Sequence, residues 1–127
     1  MLGYVTIGAR DSEASGRFYD AVFAAIGGER KSTDEGWIFY GPKGSDGVVG
    51  VCSPPFDKKP ATVGNGMMIA FKAASKDEVT AAHAAALAHD GSDEGAPGFR
   101  PAEATSGFFG AYMRDPTGNK LCVYCLA

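Results

Sequence analysis

The chain repeats itself. Tyr4-Val5-Thr6-Ile7 is answered 64 positions later by Met68-Ile69-Ala70-Phe71, and the same offset carries Gly27 onto Gly91. The Pro-x-Gly turn at Pro42 and Gly44 recurs at Pro116 and Gly118, 74 positions on, so the second copy holds a longer loop within Gly91–Gly107. A period of this size marks one supersecondary unit used more than once, and such a unit does not bury its apolar face alone. A chain of 127 residues has room for one core. The expectation is therefore a single domain, residues 1–127, made of repeats about 1–53 and 64–127.

Each copy reads strand–helix–strand–strand–strand. In the first, a strand is predicted over Leu2–Gly8, followed by a helix with Asp11 or Ser12 as N-cap and Glu13 in its first turn. Ala14, Phe18, Ala21, Val22, Ala25 and Ile26 recur at helical spacing, and Gly27-Gly28 ends the run. Short strands follow at Gly28–Lys31, Trp37–Tyr40 and Val48–Cys52. Ser53–Asn65, with Pro54, Pro55 and Pro60, is a connector. The second copy opens with a strand over Gly66–Ala73. Ser75-Lys-Asp-Glu78 then forms a capping box for a helix that turns Val79, Ala82, Ala86 and Leu87 inward. Further strands are predicted near Phe99, at Phe108–Arg114 and at Lys120–Leu126. The fold class is α+β, two βαβββ modules paired across a pseudo-twofold axis around a shared cleft.

Alternation along the strands sorts the side chains. Val5, Ile7, Ile69, Phe71, Leu121 and Val123 are predicted to pack under the helices. Tyr4, Thr6, Met68, Ala70, Lys120, Cys122 and Tyr124 face the cleft. Cys122-Val-Tyr-Cys125 has the spacing of a redox or zinc motif, but residues three apart on a strand point to opposite faces, so it reads as two packed thiols. Three cysteines in all fit a reducing compartment.

Composition enters by exclusion. A formal charge of −3 provides no broad cationic surface for nucleic acid. No apolar run reaches the ~20 residues needed to cross a bilayer, and the N-terminus has no signal-peptide pattern. A cytoplasmic protein without membrane or nucleic-acid partners is expected.

The repeat, together with Tyr4-Val-Thr-Ile-Gly8, Ser15-Gly-Arg-Phe-Tyr-Asp20, Gly64-Asn-Gly66, Gly95-Ala-Pro-Gly98 and Gly110-Ala-Tyr-Met-Arg-Asp-Pro-Thr-Gly-Asn-Lys120, resembles the vicinal oxygen chelate superfamily of glyoxalases, bleomycin-resistance proteins and extradiol dioxygenases. The resemblance covers nearly the whole chain. It implies a cleft in which histidines and carboxylates hold one divalent ion. Carried over position by position, a histidine is usual at Tyr4 and at Met68 and a glutamate at Cys122, and the fourth ligand falls among Val48–Val51. Phenol, thioether and thiol form a poor set for a hard cation. No metal and no cofactor are expected. His83 and His89 sit six residues apart on or just after the second helix and offer no alternative.

What remains is aromatic and neutral. Tyr4, Trp37, Phe39, Met68, Phe109, Tyr112, Cys122 and Tyr124, with Arg100 at the mouth, are the predicted ligand-contacting residues, the alternative for each aromatic being a place in the sheet core. Residues 99–107 are the candidate lid, and Arg100 and Glu103 its charged groups. Three functions compete. A metal-free module binds a small apolar or aromatic molecule. An enzyme of lyase, isomerase or dioxygenase type uses an atypical metal site, or Tyr4, Glu103 or Tyr124 as proton carriers. A scaffold associates as a homodimer, with Val48–Cys52 as a hydrophobic edge strand. A homodimer is expected in each case.

Overall fold

The computed structural model describes all residues, Met1–Ala127. The first module comprises β1 (Val5–Gly8), α1 (Ser12–Ala24), β2 (Gly28–Asp34), β3 (Trp37–Pro42) and β4 (Val49–Cys52). The second comprises β5 (Ile69–Lys72), α2 (Lys76–Ala88), β6 (Ser92–Phe99), β7 (Phe108–Arg114) and β8 (Lys120–Leu126). The offset of 64 superposes β1 on β5 and α1 on α2, and both helices are 13 residues long. The two sheets have the same order, β1-β4-β3-β2 and β5-β8-β7-β6, with β1 parallel to β4 and β5 parallel to β8. The longer loop of the second module is residues 100–107, between β6 and β7, where the first module has a tight turn at Glu35-Gly36.

Local chemistry sets the helix ends. Asp11 caps α1, its carboxylate accepting from Glu13 N and Ala14 N. Ser75 caps α2 by accepting from Glu78 N, and Glu78 reaches back to Ala74 N. α1 is locked to β2 and β3 by a second clasp. Tyr40 donates its hydroxyl to Asp20 at 2.9 Å, and Arg30 grips the same carboxylate at 2.8 and 3.1 Å.

Four expectations are corrected. β1 and β5 begin at Val5 and Ile69, so Tyr4 and Met68 stand just before their strands, because pairing with β4 and β8 starts only at Val49 and Leu121. Leu87 is 44 % exposed, and His83 occupies the inward position instead. The stripe Val79, Ala82, His83, Ala86 keeps three- and four-residue steps, and Leu87 lies about 100° further round. His89, expected in solvent, is half-buried with Nδ1 2.8 Å from Ala85 O. Finally, Val48–Cys52 is no edge. β4 lies between β1 and β3 and is buried throughout, so its backbone has no free side to offer a second chain.

One apolar core runs through both modules, from Ile7, Phe18 and Val51 to Val79, Met113 and Val123. Phe23 of α1 meets Phe71 of β5 edge to face at 4.9 Å. The polar link is the β7–β8 turn. Asp115 Oδ1 accepts from the backbone N–H groups of Thr117, Gly118 and Asn119, while Oδ2 accepts the Tyr19 hydroxyl at 2.6 Å. Asn119 Nδ2 donates to that Oδ2 and to Gly8 O, and Arg10 N donates to Thr117 Oγ1.

Burial, then the neighbouring Asp115 charge, holds the Tyr19 phenol well above the ordinary tyrosine range, and burial with the Asp20 hydrogen bond does the same for Tyr40. Both groups keep their protons in the fold at a pH where the unfolded chain has lost them. Their contribution is complete below about pH 10 and is lost as pH rises beyond it. Urea unfolding should therefore show stability falling above pH 10, with a shallower fall in Tyr19→Phe. At pH 7 the same variant should cost about 1–3 kcal/mol by removing one of the two donors to a buried carboxylate oxygen.

Candidate functional site

Each sheet has one face against the helices and one free of them. On the first sheet the helix-free row is Thr6–Gly50–Phe39, with Tyr4 and Trp37 beside it. Tyr4 stands 60 % exposed and meets Phe39 edge-on at 6.1 Å, and Phe39 lies 6.4 Å from Trp37. The Phe39 ring lies over Gly50, where an added Cβ would come within 2.9 Å of its Cε1. Trp37 is held by its Nε1–H, which donates to Pro54 O at 3.2 Å.

On the second sheet the matching row is Ala70–Cys122–Tyr112–Gly95. The next row holds Lys72, Tyr124, Gly110 and Gly98. Phe108 stacks on Tyr124 at 5.0 Å, lying over Gly110 as Phe39 lies over Gly50. Arg100 spreads over the Tyr112 ring at 5.5 Å, and Lys120 approaches the same ring at 5.8 Å. Burial raises the Cys122 thiol above its ordinary value, against the opposing effects of Tyr112, Arg100 and Lys120. It is a protonated thiol at neutral pH.

The predicted residues thus fall into two groups. Tyr4, Trp37 and Phe39 gather on the first sheet, and Arg100, Tyr112, Cys122 and Tyr124 on the second. No ring of one group stacks on a ring of the other. Phe109 belongs to neither. Together with Ala111 and Met113 it faces α2, packing on Phe99 at 5.2 Å with Lys76 above it. Phe109 and Tyr112 are three apart on one strand and so occupy opposite faces. Met68 is 45 % exposed and lies near Lys120 along the wall of a 170 Å³ cavity between the modules, beside β1. Glu103 is exposed in the loop 100–107. Two neighbours of this group are absent from the predicted contacts: Phe108, and Lys120, which was placed facing the cleft without a role. Their shared parity with Tyr112 and Cys122 was the available signal.

The family-implied metal can be tested against these positions. Tyr4 and Met68 are pseudo-equivalent and exposed, Gly50 occupies the helix-free position of the fourth ligand, and Cys122 is a buried neutral thiol. No three His, Cys, Asp or Glu side chains converge on a point that would hold an ion. This donor set does not fit a divalent cation.

The sequence matches the Glyoxalase/Bleomycin resistance protein/Dioxygenase superfamily over residues 1–123. The chain belongs to that superfamily. A glyoxalase/bleomycin resistance protein from Albidiferax ferrireducens T118 is 35% identical over 98% of both chains, with a TM-score of 0.86. A glyoxalase/bleomycin resistance protein/dioxygenase family enzyme from Burkholderia phytofirmans PsJN is 18% identical over 99% of this chain and 98% of that one, at 0.68. Lactoylglutathione lyase from Agrobacterium tumefaciens is 20% identical over 96% and 91%, at 0.61. No curated protein matches the chain. The last two similarities concern the fold alone. The shared architecture, two βαβββ modules, agrees with the fold class expected from the repeat. No helix is long and apolar enough to cross a membrane.

The cysteines supply a direct check of this geometry. All three are buried, with Cys122 on the helix-free face and Cys125 in the core. Ellman's reagent at pH 8 should label the native protein slowly and all three thiols at once in urea. Prompt labelling of Cys122 alone would show that Tyr112 and Arg100 do not cover it.

Proposed function

We propose that this protein binds a small apolar or aromatic molecule on its helix-free sheet faces, without a divalent metal. The observation that carries the reading is the repeated seating of aromatic rings over glycines, Phe39 over Gly50 and Phe108 over Gly110, in half-buried positions on the faces free of helices. A ring that served only the core would sit on the helix side, as Tyr40 and Phe109 do. An aromatic surface with scattered hydroxyls and a sulfur suits a planar guest. The reading extends to a homodimer. Leu2, Tyr4, Met67, Met68 and Leu126 are exposed apolar side chains at or near these faces, and a second copy would cover them.

Trp37 is the only tryptophan and sits inside the first aromatic group. A panel of planar aromatic compounds, screened by thermal shift, should include binders that also perturb Trp37 fluorescence. At a concentration 100 times its Kd, a binder adds about 2.7 kcal/mol to stability. Phe39→Ala and Phe108→Ala should weaken binding while leaving the fold intact. A diverse panel without one stabilising compound contradicts the reading. Light scattering should give twice the monomer mass.

A further inference from the structure

Arg100 and Lys120 are two cations beside the Tyr112 ring, and neither has an ion-pair partner. Four ion pairs are present, and neither residue takes part in any of them. Glu94, which feels the charge of Lys120, is bonded to Arg114 at 2.7 Å. The thiol beneath the pair, Cys122, is protonated and offers no counter-charge. A half-buried guanidinium without a carboxylate loses hydration and recovers little of it from its own chain.

Arg100 is nonetheless held in place. Its Nη2 donates to Ala96 O at 2.8 Å and its Nη1 to Phe99 O at 3.2 Å, which uses two of the five donors a guanidinium has. The seat is cut to fit. A Cβ on Gly95 would lie 3.3 Å from Nη2 and 3.0 Å from the Tyr112 ring, and one on Gly98 would lie 3.1 Å from Nη1. Gly95-Ala-Pro-Gly98, noted in the sequence only as a family-like segment, is therefore a side-chain-free bed under a fixed cation. The Arg100 guanidinium and the Lys120 ammonium lie 5.5 and 5.8 Å from the centroid of the same Tyr112 ring.

We infer that the ligand of the second sheet is an anion, an aromatic or apolar carboxylate whose body lies on Tyr112 and whose charged group is held by Arg100 and Lys120. This rests on the proposed binding reading and names the chemical class of its ligand. The spare donors of Arg100 match the geometry of a carboxylate, and Lys120 adds a mobile point charge.

The test uses 2-naphthoate and its neutral counterpart 2-naphthamide, titrated separately into the full chain and followed by amide NMR shifts. The naphthoate should bind about tenfold or more tightly than the amide, a preference that shrinks as salt is added. Its shifts should centre on residues 95–100, 112 and 120. Arg100→Gln and Lys120→Gln should each reduce the ratio of naphthoate to naphthamide affinity measured in the same variant. Equal affinities in the unmodified protein would overturn the anion assignment and leave the aromatic-binding reading standing. A preference that survives in the Arg100→Gln, Lys120→Gln double variant would overturn it in the same way. Failure of both compounds to bind contradicts both.

Discussion

The Asp115 carboxylate gathers three backbone N–H groups of its own turn with one oxygen and takes the Tyr19 hydroxyl of the other module with its second. Two modules with the same strand order are thereby joined at a fixed angle, and Asn119 continues the link to Gly8 at the end of β1. The first repeat has no counterpart. Gly41 stands where the second repeat has Asp115, and the turn that follows it makes no such bridge. The duplication is therefore symmetric in strand order and one-sided in its polar connection. A carboxylate with its hydrogen bonds satisfied inside an otherwise apolar seam selects one arrangement among the many that burial alone would allow.

With the modules fixed on their helix sides, the other sheet faces are free to diverge. The first displays neutral aromatics, and the second displays aromatics under two unpaired cations. Glycine makes both possible. Gly50, Gly95, Gly98 and Gly110 lie beneath Phe39, Tyr112, Arg100 and Phe108, where a methyl group would intrude. A large side chain can lie flat on a sheet only where its neighbour is small. The glycines on these strands thus mark what lies above them, and this is a reason for the glycines within β6 and β7.

Much of the fold was legible in the sequence because it depends on spacing. The 64-residue offset located β1 against β5 and α1 against α2 without any contact information. Alternation sorted Val5, Ile7, Leu121 and Val123 from Thr6 and Cys122. The failures came where spacing is silent. Strand ends at Tyr4 and Met68 depend on where the partner strand stops, and the place of β4 inside its sheet depends on topology. On α2, the apolar Leu87 and the buried His83 compete for one stripe, and pattern alone favours the wrong residue. Phe109 was grouped with Tyr112 for its chemistry, although parity separates them. Arg100 was named at the mouth, but its seat was not legible: the bed of glycines is assembled by strand pairing between β6 and β7, and no local motif records it.

The superfamily is associated with an ion held by imidazole and carboxylate, and here those positions carry phenol, glycine, thioether and a neutral thiol. The account stands or falls on that replacement. The most direct measurement is the metal content, by inductively coupled plasma mass spectrometry, of protein expressed in metal-replete medium and purified without chelator. It should show divalent metal far below one ion per chain. One zinc, iron, manganese or nickel per chain, retained through gel filtration and lost on substituting Tyr4 or Cys122, would contradict the account.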